Sequence, residues 1–183
     1  MSEVGDHVLL VGMMGSGKST VGRIVADRMG RPFRDSDAQV ELRTGRSVPE
    51  IFAGRGERAF RAEERVALCD LLASEVPSVI AVAGGAVVDP ESRRRLRAGG
   101  VVIWLDVLPH AIAARVGRGD GRPLLEKDPA GTLARLDAAR RPLYRELSDF
   151  AVRVESRGPR ALADEVVRAA RSRLDADAEG PRR

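Results

Sequence analysis

Cysteine, aromatic residues and long apolar runs are scarce in this chain of 183 residues, and each scarcity excludes a class of protein. The single cysteine, Cys69, cannot close a disulfide within the chain, so we expect a cytoplasmic location. Aromatic residues make up 3% of the chain, too few for a platform on which nucleic-acid bases would stack. No apolar run approaches the roughly 18 residues that span a membrane, and residues 1–6 are too polar for a secretory signal. We therefore expect neither a nucleic-acid nor a membrane partner.

Lysine is also rare, because arginine carries almost all of the positive charge. The chain has two lysines, Lys18 and Lys127, yet its net charge is +4 and its sequence pI is about 10.1. A high pI invites a nucleic-acid interpretation, but the arginines are spread along the chain apart from a cluster at residues 93–97. The excess charge suits an anionic small ligand, such as a nucleotide, at least as well.

One of the two lysines belongs to a glycine-rich motif at residues 12–20, Gly-Met-Met-Gly-Ser-Gly-Lys-Ser-Thr. It fits the pattern of Gly, four residues, Gly-Lys-Ser/Thr that defines a phosphate-binding loop. Glycines let backbone N–H groups turn towards an anion, and the helix that follows points its positive dipole end at the same anion. Lys18 would reach the outer phosphates, and the Ser19 hydroxyl would hold Mg²⁺. The predicted nucleotide contacts in the motif are Gly15, Ser16, Gly17, Lys18, Ser19 and Thr20.

The sequence on either side favours this interpretation over a glycine-rich turn that binds nothing. Residues 7–11 form a short apolar run typical of a buried strand. Residues 19–29 place their apolar side chains on one face of a helix. Strand, loop and helix in this order are the context in which the motif binds phosphate.

Strand-like and helix-like segments alternate along the rest of the chain. Alternation of this kind favours a three-layer α/β/α fold with a five-stranded parallel sheet. We expect one domain over residues 1–174 and a disordered tail at 175–183. After the first strand, the predicted strands are residues 32–35, 79–83, 101–105 and 150–154. After the first helix, the predicted helices are residues 37–44, 48–53, 57–73, 90–98, 108–116, 132–147 (interrupted at Pro142) and 160–174.

A segment rich in glycine and proline, at about residues 117–130, breaks this alternation. Loops of this length inside a domain are usually functional, so we predict a mobile lid. Its Arg122 is either a solvated charge or a group that closes over the phosphates and stabilises charge in the transition state.

Polar residues at three other places suggest a second substrate. Asp35 and Asp37 follow the second strand, at the edge where α/β sheets place their sites, although a helix cap would also explain them. Arg61 and Glu64 lie one helical turn apart, either as a weak surface pair or with the arginine as a fork that grips a carboxylate. Arg140 has the same two explanations.

A pair of glycines ends the predicted strand at residues 79–83. Gly84 and Gly85 leave room for a ligand to approach the backbone, or they form a simple strand-ending turn.

Six motifs, in order and at compatible spacing, make the chain resemble the shikimate kinases from His7 to Leu174. Each motif is weak alone, and together they are specific. They are the loop at residues 12–20, Asp35-Ser36-Asp37, Phe60-Arg61 with Glu64, Gly84-Gly85-Ala86-Val87, Arg122-Pro123-Leu124-Leu125 and Arg140-Arg141-Pro142-Leu143-Tyr144. The resemblance implies a P-loop kinase of the nucleoside-monophosphate-kinase type. Such an enzyme uses ATP and Mg²⁺ to phosphorylate the 3-hydroxyl of shikimate, in the synthesis of aromatic amino acids.

The resemblance also implies roles around the transferred phosphate. Asp37 would contact the acceptor hydroxyl as base or orienting group, and Asp35 would hold Mg²⁺ through water. Arg122 would act on the phosphates from the lid. Arg115 and Pro159 would enclose the adenine.

On the acceptor side, the resemblance makes two arginines into a carboxylate clamp. Arg61, steadied by Glu64, would be one, and Arg140 the other, with the roles of Arg140 and Arg141 open to exchange. Gly84 and Gly85 would complete the acceptor site.

The chain departs from the family at Ala83, which stands where the usual motif has a first glycine. Alanine disfavours positive φ and adds a methyl group, so either this position needs no positive φ or the acceptor pocket differs. Kinases for another polyol acid, a cyclitol or gluconate are therefore alternatives. A nucleotide-binding regulatory module without turnover is an alternative of another class. We expect a monomer.

Overall fold

A computed structural model describes residues 6–116, 128–154 and 157–178 of the chain. Strands and helices alternate along these ranges, with a short 3₁₀ turn at Ala86–Val88. The strands are β1 His7–Val11, β2 Phe33–Asp35, β3 Val79–Ala81, β4 Gly100–Asp106 and β5 Phe150–Arg153. The helices are α1 Lys18–Met29, α2 Ser36–Thr44, α3 Val48–Leu72, α4 Pro90–Gly99, α5 Pro109–Val116, α6 Pro129–Leu147 and α7 Pro159–Ala178.

The five strands form one parallel sheet in the order β2-β3-β1-β4-β5. β1 and β3 are buried throughout because neighbouring strands and helices cover them. β2 and β3 lie on one side of β1 in the sheet, and β4 and β5 lie on the other side of β1, so the direction in which strands are added reverses. A reversal of this kind opens a crevice at the carboxyl end of β1, which is where the phosphate-binding motif lies. The predicted α/β fold with a five-stranded parallel sheet is confirmed.

Two separate hydrophobic clusters stabilise this arrangement. The larger one surrounds the sheet and includes side chains from α1, α4, α6 and α7. The smaller one joins α2 to α3 and consists of Val40, Ile51, Phe60 and Ala67, with Val48 and Phe52 packed against it. The acceptor side of the predicted site is thus built on its own small core.

The helices predicted at 48–53 and 57–73 are confirmed as two helical segments of α3, because Gly56 between them has non-helical dihedral angles (φ 77°, ψ 173°). Two other predicted boundaries differ from the structure. α6 starts at Pro129 and continues through Pro142, because the buried side chains of Tyr144 and Leu147 hold its last turns on the core. β3 stops at Ala81, since the backbone N–H of Ala83 turns to a side chain of the neighbouring segment.

The tail predicted from residue 175 is wrong at its start, because α7 runs on to Ala178. Residues 179–183 lie outside the described part of the chain. Within the described ranges, no helix combines the length and apolarity that crossing a bilayer requires.

The pairing of β1 with β4 at His7 and Gly100 gives a test of the fold. Gly100 opens β4 at φ 154°, and a Cβ there would overlap the carbonyl oxygen of His7. Gly100→Ala should lower the free energy of unfolding by about 3 kcal/mol, from backbone strain and from overpacking. Urea denaturation measures this loss.

A matched control uses a glycine with open space around it. Gly54 lies in α3 with no atom near a built Cβ. Gly54→Ala should therefore be neutral or stabilising by up to about 1 kcal/mol. Equal unfolding midpoints for the two variants would contradict the predicted strain and overlap at Gly100.

Candidate active site

The carboxyl edge of the sheet gathers the predicted site residues from four strands. The phosphate loop follows β1, the Asp35-Ser36-Asp37 segment starts at the last residue of β2, and the Gly84–Gly85 turn follows β3. Asp106 ends β4 at the same edge. Parallel pairing places these ends side by side, although they are far apart in sequence.

The phosphate loop uses its glycines for positive φ. Gly12, Gly15 and Gly17 adopt φ of 144°, 75° and 93°. Gly12 also has no room for a side chain, because a Cβ would lie 2.7 Å from the carbonyl oxygen of Leu105. Gly17 directly precedes α1, so the N–H groups at the start of this helix are directed towards the loop.

The side chains of the loop have distinct positions. The Lys18 Nζ donates to the carbonyl oxygens of Gly12 and Met13, at 2.9 and 3.0 Å, which holds its charge at the loop. Ser16 is buried beneath the loop, and its backbone N–H donates to Met13. Thr20 is exposed in the first turn of α1.

Ser19 and Asp35 meet across the crevice. The Ser19 hydroxyl donates to Asp35 Oδ2 at 2.7 Å, and the other carboxylate oxygen accepts from the backbone N–H of Asp37 at 3.1 Å. Asp35 is therefore also the N-cap of α2, so both explanations of this residue hold together. A hydroxyl and a carboxylate are oxygen ligands that suit Mg²⁺, which keeps several waters and needs few protein groups. In the described ranges, no cluster of three or more His, Cys, Asp or Glu side chains forms a metal site.

Asp37 lies in the first turn of α2, between the phosphate loop and the predicted acceptor side. Burial raises the pKa of its carboxyl to about 6, with the carboxylates of Asp35 and Glu64 adding to the rise. Lys18 and Arg61 oppose it. Many protein atoms surround the carboxyl, although the Asp37 residue still exposes part of its surface to solvent. The group is thus ionised at neutral pH and protonated slightly below it.

Arg61 is fixed by two carboxylates of its own helix. Its Nη1 donates to both oxygens of Glu64, at 3.0 and 3.1 Å, and its Nη2 donates to Glu57 at 3.1 Å. Glu64 is 3% exposed, so this is no weak surface pair. Burial raises the pKa of Glu64, while Arg61 and Arg140 lower it, which places both arginines near one carboxylate.

The glycine turn after β3 needs space and not positive φ. Gly85 has φ −88°, and a Cβ there would overlap the guanidinium of Arg61. A Cβ at Gly84 would lie 3.0 Å from the carbonyl oxygen of Gly12. Ala83 stands before these crowded positions, and its N–H donates to the hydroxyl of Ser36 at 2.8 Å. The turn therefore accommodates alanine at the first position of the motif.

Arg140 and Arg141 point to different partners. Arg140 is 5% exposed and lies near Glu64 and Tyr144, on the side of the glycine turn. Arg141 is tied to the end of β4 and to its own helix. Its guanidinium donates to Asp106 at 2.8 Å, to both oxygens of Asp137 at 2.9 and 3.2 Å, and to the carbonyl of Val107 at 3.2 Å, and it lies over the Trp104 ring. The geometry favours Arg140 as the second clamp.

Sequence reasoning gave no role to three residues that hold this site together. Glu57 was detectable from its i, i+4 spacing to Arg61. Ser36 and Tyr144 stand inside quoted motifs, but their partners, Ala83 and Gly84, lie in distant segments. Hydrogen bonds between residues that are so far apart in the chain leave no periodic pattern in the sequence.

Other predicted site residues stay predictions. Arg122 and residues 117–127 of the predicted lid lie outside the described residues, as does the side chain of Arg115 on α5. Pro159 is the exposed first residue of α7.

The raised pKa of Asp37 makes a prediction about stability. A carboxyl whose pKa is higher in the folded protein costs stability above that pKa, because the native state then holds a charge that the fold disfavours. Asp37→Asn should stabilise the protein by about 1 kcal/mol at pH 7.5, a figure reduced for solvent screening at this open side chain. At pH 4 the gain should vanish. Urea denaturation at both pH values measures it.

The exposed Asp27 on α1 provides the control for this prediction. Asp27→Asn should leave stability unchanged at pH 7.5 and at pH 4. A loss of stability in Asp37→Asn at pH 7.5 would contradict the raised pKa.

Comparisons with known proteins agree with this geometry. The family model for shikimate kinase matches residues 14–171. A shikimate kinase of Pseudomonas syringae pv. syringae (strain B728a) is 43% identical over 162 residues, which cover 88% of this chain and 94% of the relative. The solved shikimate kinase from Acinetobacter baumannii in complex with shikimate has a TM-score of 0.87 and 34% identity, covering 98% of this chain and 97% of that chain.

A more distant structure shares the fold alone. The gluconokinase from Sinorhizobium meliloti 1021 is 21% identical, with a TM-score of 0.68 and coverage of 96% of each chain. Identity, coverage and the family model all lead to one assignment: this chain belongs to the shikimate kinase family.

Proposed function

We propose that this ATP-dependent kinase transfers the γ-phosphoryl group of ATP to the 3-hydroxyl of shikimate through the residues described above. The observation that carries the proposal is the position of Asp37. Its carboxyl interacts electrostatically with Lys18 of the phosphate loop and with Arg61 of the acceptor side. One carboxylate therefore lies within electrostatic range of both the donor group and the group that would hold the acceptor.

On the donor side, the phosphate loop binds the triphosphate of ATP. The N–H groups of the loop and of the first turn of α1 donate to phosphate oxygens, and Lys18 neutralises the transferring group. Ser19 and Asp35 would hold Mg²⁺, and their hydroxyl–carboxylate pair fits that ion. When bound, Mg²⁺ would neutralise charge on the β- and γ-phosphates.

On the acceptor side, Arg61 and Arg140 grip the carboxylate of shikimate. The support is that Arg61 is already oriented by Glu57 and Glu64, and that Arg140 lies near the same Glu64. A preorganised guanidinium loses little side-chain entropy on binding, and it pairs with a carboxylate in a fork geometry. The Gly84–Gly85 turn lies against this clamp, because the Arg61 guanidinium fills the space that a Cβ of Gly85 would take.

In the transfer step, Asp37 orients the 3-hydroxyl and accepts its proton. A carboxyl with a pKa of about 6 is ionised at neutral pH and is more basic than an ordinary aspartate. Catalysis then rests on in-line positioning and on neutralisation of the phosphoryl charge by Lys18.

The remaining expectations rest on the family resemblance. We propose that Arg122 closes over the phosphates with a lid at about residues 117–130, and that Arg115 and Pro159 enclose the adenine. We also propose that the chain is a monomer in the cytoplasm.

The first test of the proposal is an ATP-coupled assay across a panel of acceptors. Shikimate should be phosphorylated with a kcat/KM at least about a hundredfold above gluconate, quinate and myo-inositol. The physical reason is that the fixed arginines and Asp37 demand one separation between carboxylate and hydroxyl. Equal turnover of gluconate would favour the alternative polyol-acid kinase.

The second test concerns the clamp itself. Arg61→Ala or Arg140→Ala should lower kcat/KM for shikimate about thirty- to a thousandfold, since each removes a charge-assisted pair. Arg→Lys should recover part of the loss, and the affinity for ATP should hardly move. On the carboxamide analogue of shikimate the alanine variants should lose little. A similar loss on both acceptors would mean that the arginines support the fold or the nucleotide.

The third test is the pH dependence. Because the proton-accepting form of Asp37 is the ionised one, kcat/KM for shikimate should fall tenfold per pH unit below a pKa of about 6 and be level above it. In Asp37→Asn, the residual kcat/KM should no longer fall as the pH drops below about 6. A wild-type rate that stays level down to pH 4.5 would exclude Asp37 as the base.

A further inference from the structure

Tyr144 is a buried residue of α6 to which the proposed reaction has assigned no task. Its side chain is fully buried (0% exposed), and its ring stacks on Trp104 with centroids 5.8 Å apart. It lies four residues after Arg140, so both side chains leave the same face of the helix.

The hydroxyl of Tyr144 lies where three parts of the site meet. It donates to the carbonyl oxygen of Gly84 at 2.7 Å, in the turn that faces the acceptor. The charge of Arg140, one helical turn earlier, lies close enough to lower the pKa of this hydroxyl, against the larger effect of burial. The Met13 Sδ, in the phosphate loop, is 4.0 Å away.

A phenol suits this position because it can donate and accept at once. Burial raises the pKa of Tyr144 well above its usual range, so the hydroxyl keeps its proton. The proton goes to Gly84, and the lone pairs stay open to Arg140. A phenylalanine would fill the same space and stack on the same Trp104, and it would avoid burying a polar group. Core packing therefore explains the ring, whereas the hydroxyl serves the Gly84 turn and the neighbouring Arg140.

We propose that the Tyr144 hydroxyl is a positioning group that fixes the Arg140 guanidinium against the Gly84 turn, so that half of the carboxylate clamp is set before shikimate binds. The inference rests on the proposed role of Arg140. Tyr144 acts through Arg140 and does not touch the substrate.

The variant Tyr144→Phe tests this directly, because it deletes the hydroxyl and keeps the ring. We expect the KM for shikimate to rise about tenfold, the scale of one hydrogen bond to a charged group. The kcat should change less than about threefold, and so should the KM for ATP. On the carboxamide analogue of shikimate, the variant should behave like the wild type, a split that a purely structural role would not produce.

A double-mutant cycle identifies the route of the effect. If the hydroxyl acts through Arg140, adding Tyr144→Phe to Arg140→Ala should lower kcat/KM for shikimate by less than about threefold more. A full tenfold further loss would overturn the inference, because the hydroxyl would then act elsewhere. No effect of Arg140→Ala alone would instead refute the clamp, so the two failures are distinguishable.

Ser78→Ala is a matched control for the loss of a buried hydroxyl. Ser78 is fully buried just before β3, at the end of the sheet opposite to the site, and its hydroxyl donates to the carbonyl of Val76 at 2.8 Å. This variant should lower the melting temperature about as much as Tyr144→Phe and leave the KM for shikimate unchanged. If Tyr144→Phe lowers only the melting temperature, the hydroxyl is structural and the inference is wrong.

Discussion

The close approach of the Gly84–Gly85 turn to its neighbours is the constraint on which the site depends. A Cβ at Gly84 would lie 3.0 Å from the carbonyl oxygen of Gly12, and one at Gly85 would overlap the guanidinium of Arg61. The absence of side chains at these two glycines thus lets the turn after β3 touch the phosphate loop on one side and Arg61, the proposed acceptor arginine, on the other. The hydroxyls of Ser36 and Tyr144 bind the start of the turn, through the N–H of Ala83 and the carbonyl of Gly84. These contacts make the short turn the bridge between the phosphate loop and the proposed acceptor site.

A second property of the site is its density of charge. Asp35, Asp37 and Glu64 lie near one another, and Lys18 and Arg61 supply the opposing charge. Each carboxylate costs free energy where it is partly removed from water, so a site of this kind is locally less stable than an apolar one. The same neighbouring charges set the protonation state and the side-chain orientation of the groups that a phosphoryl transfer requires.

The sequence was most informative where chemistry is local. The loop at residues 12–20 is a single continuous motif, and the apolar runs at 7–11 and 101–105 predicted strands within two residues of their observed ends. Arg140 and Arg141 could not be separated, since adjacent residues share one pattern and only the packing of α6 on β4 directs them to different partners. For the glycine turn the sequence predicts either ligand approach or a simple strand end, and it gives no sign that Arg61, more than twenty positions away in the chain, fills the space beside Gly85. The early end predicted for α7 has a similar origin, because polarity at residues 175–178 does not prevent helix formation at the end of a helix already anchored on the core.

The stack of Trp104 on Tyr144 has a consequence for spectroscopy. These are the chain's only tryptophan and its only tyrosine, with Arg141 over the indole at 5.1 Å from the ring centroid. All indole emission therefore comes from one ring, 4% exposed, at the joint between β4 and α6. Any shift of the helix that carries both Arg140 and Tyr144 changes the surroundings of this ring, so the unlabelled protein carries a fluorophore that reports on the proposed acceptor side of its site.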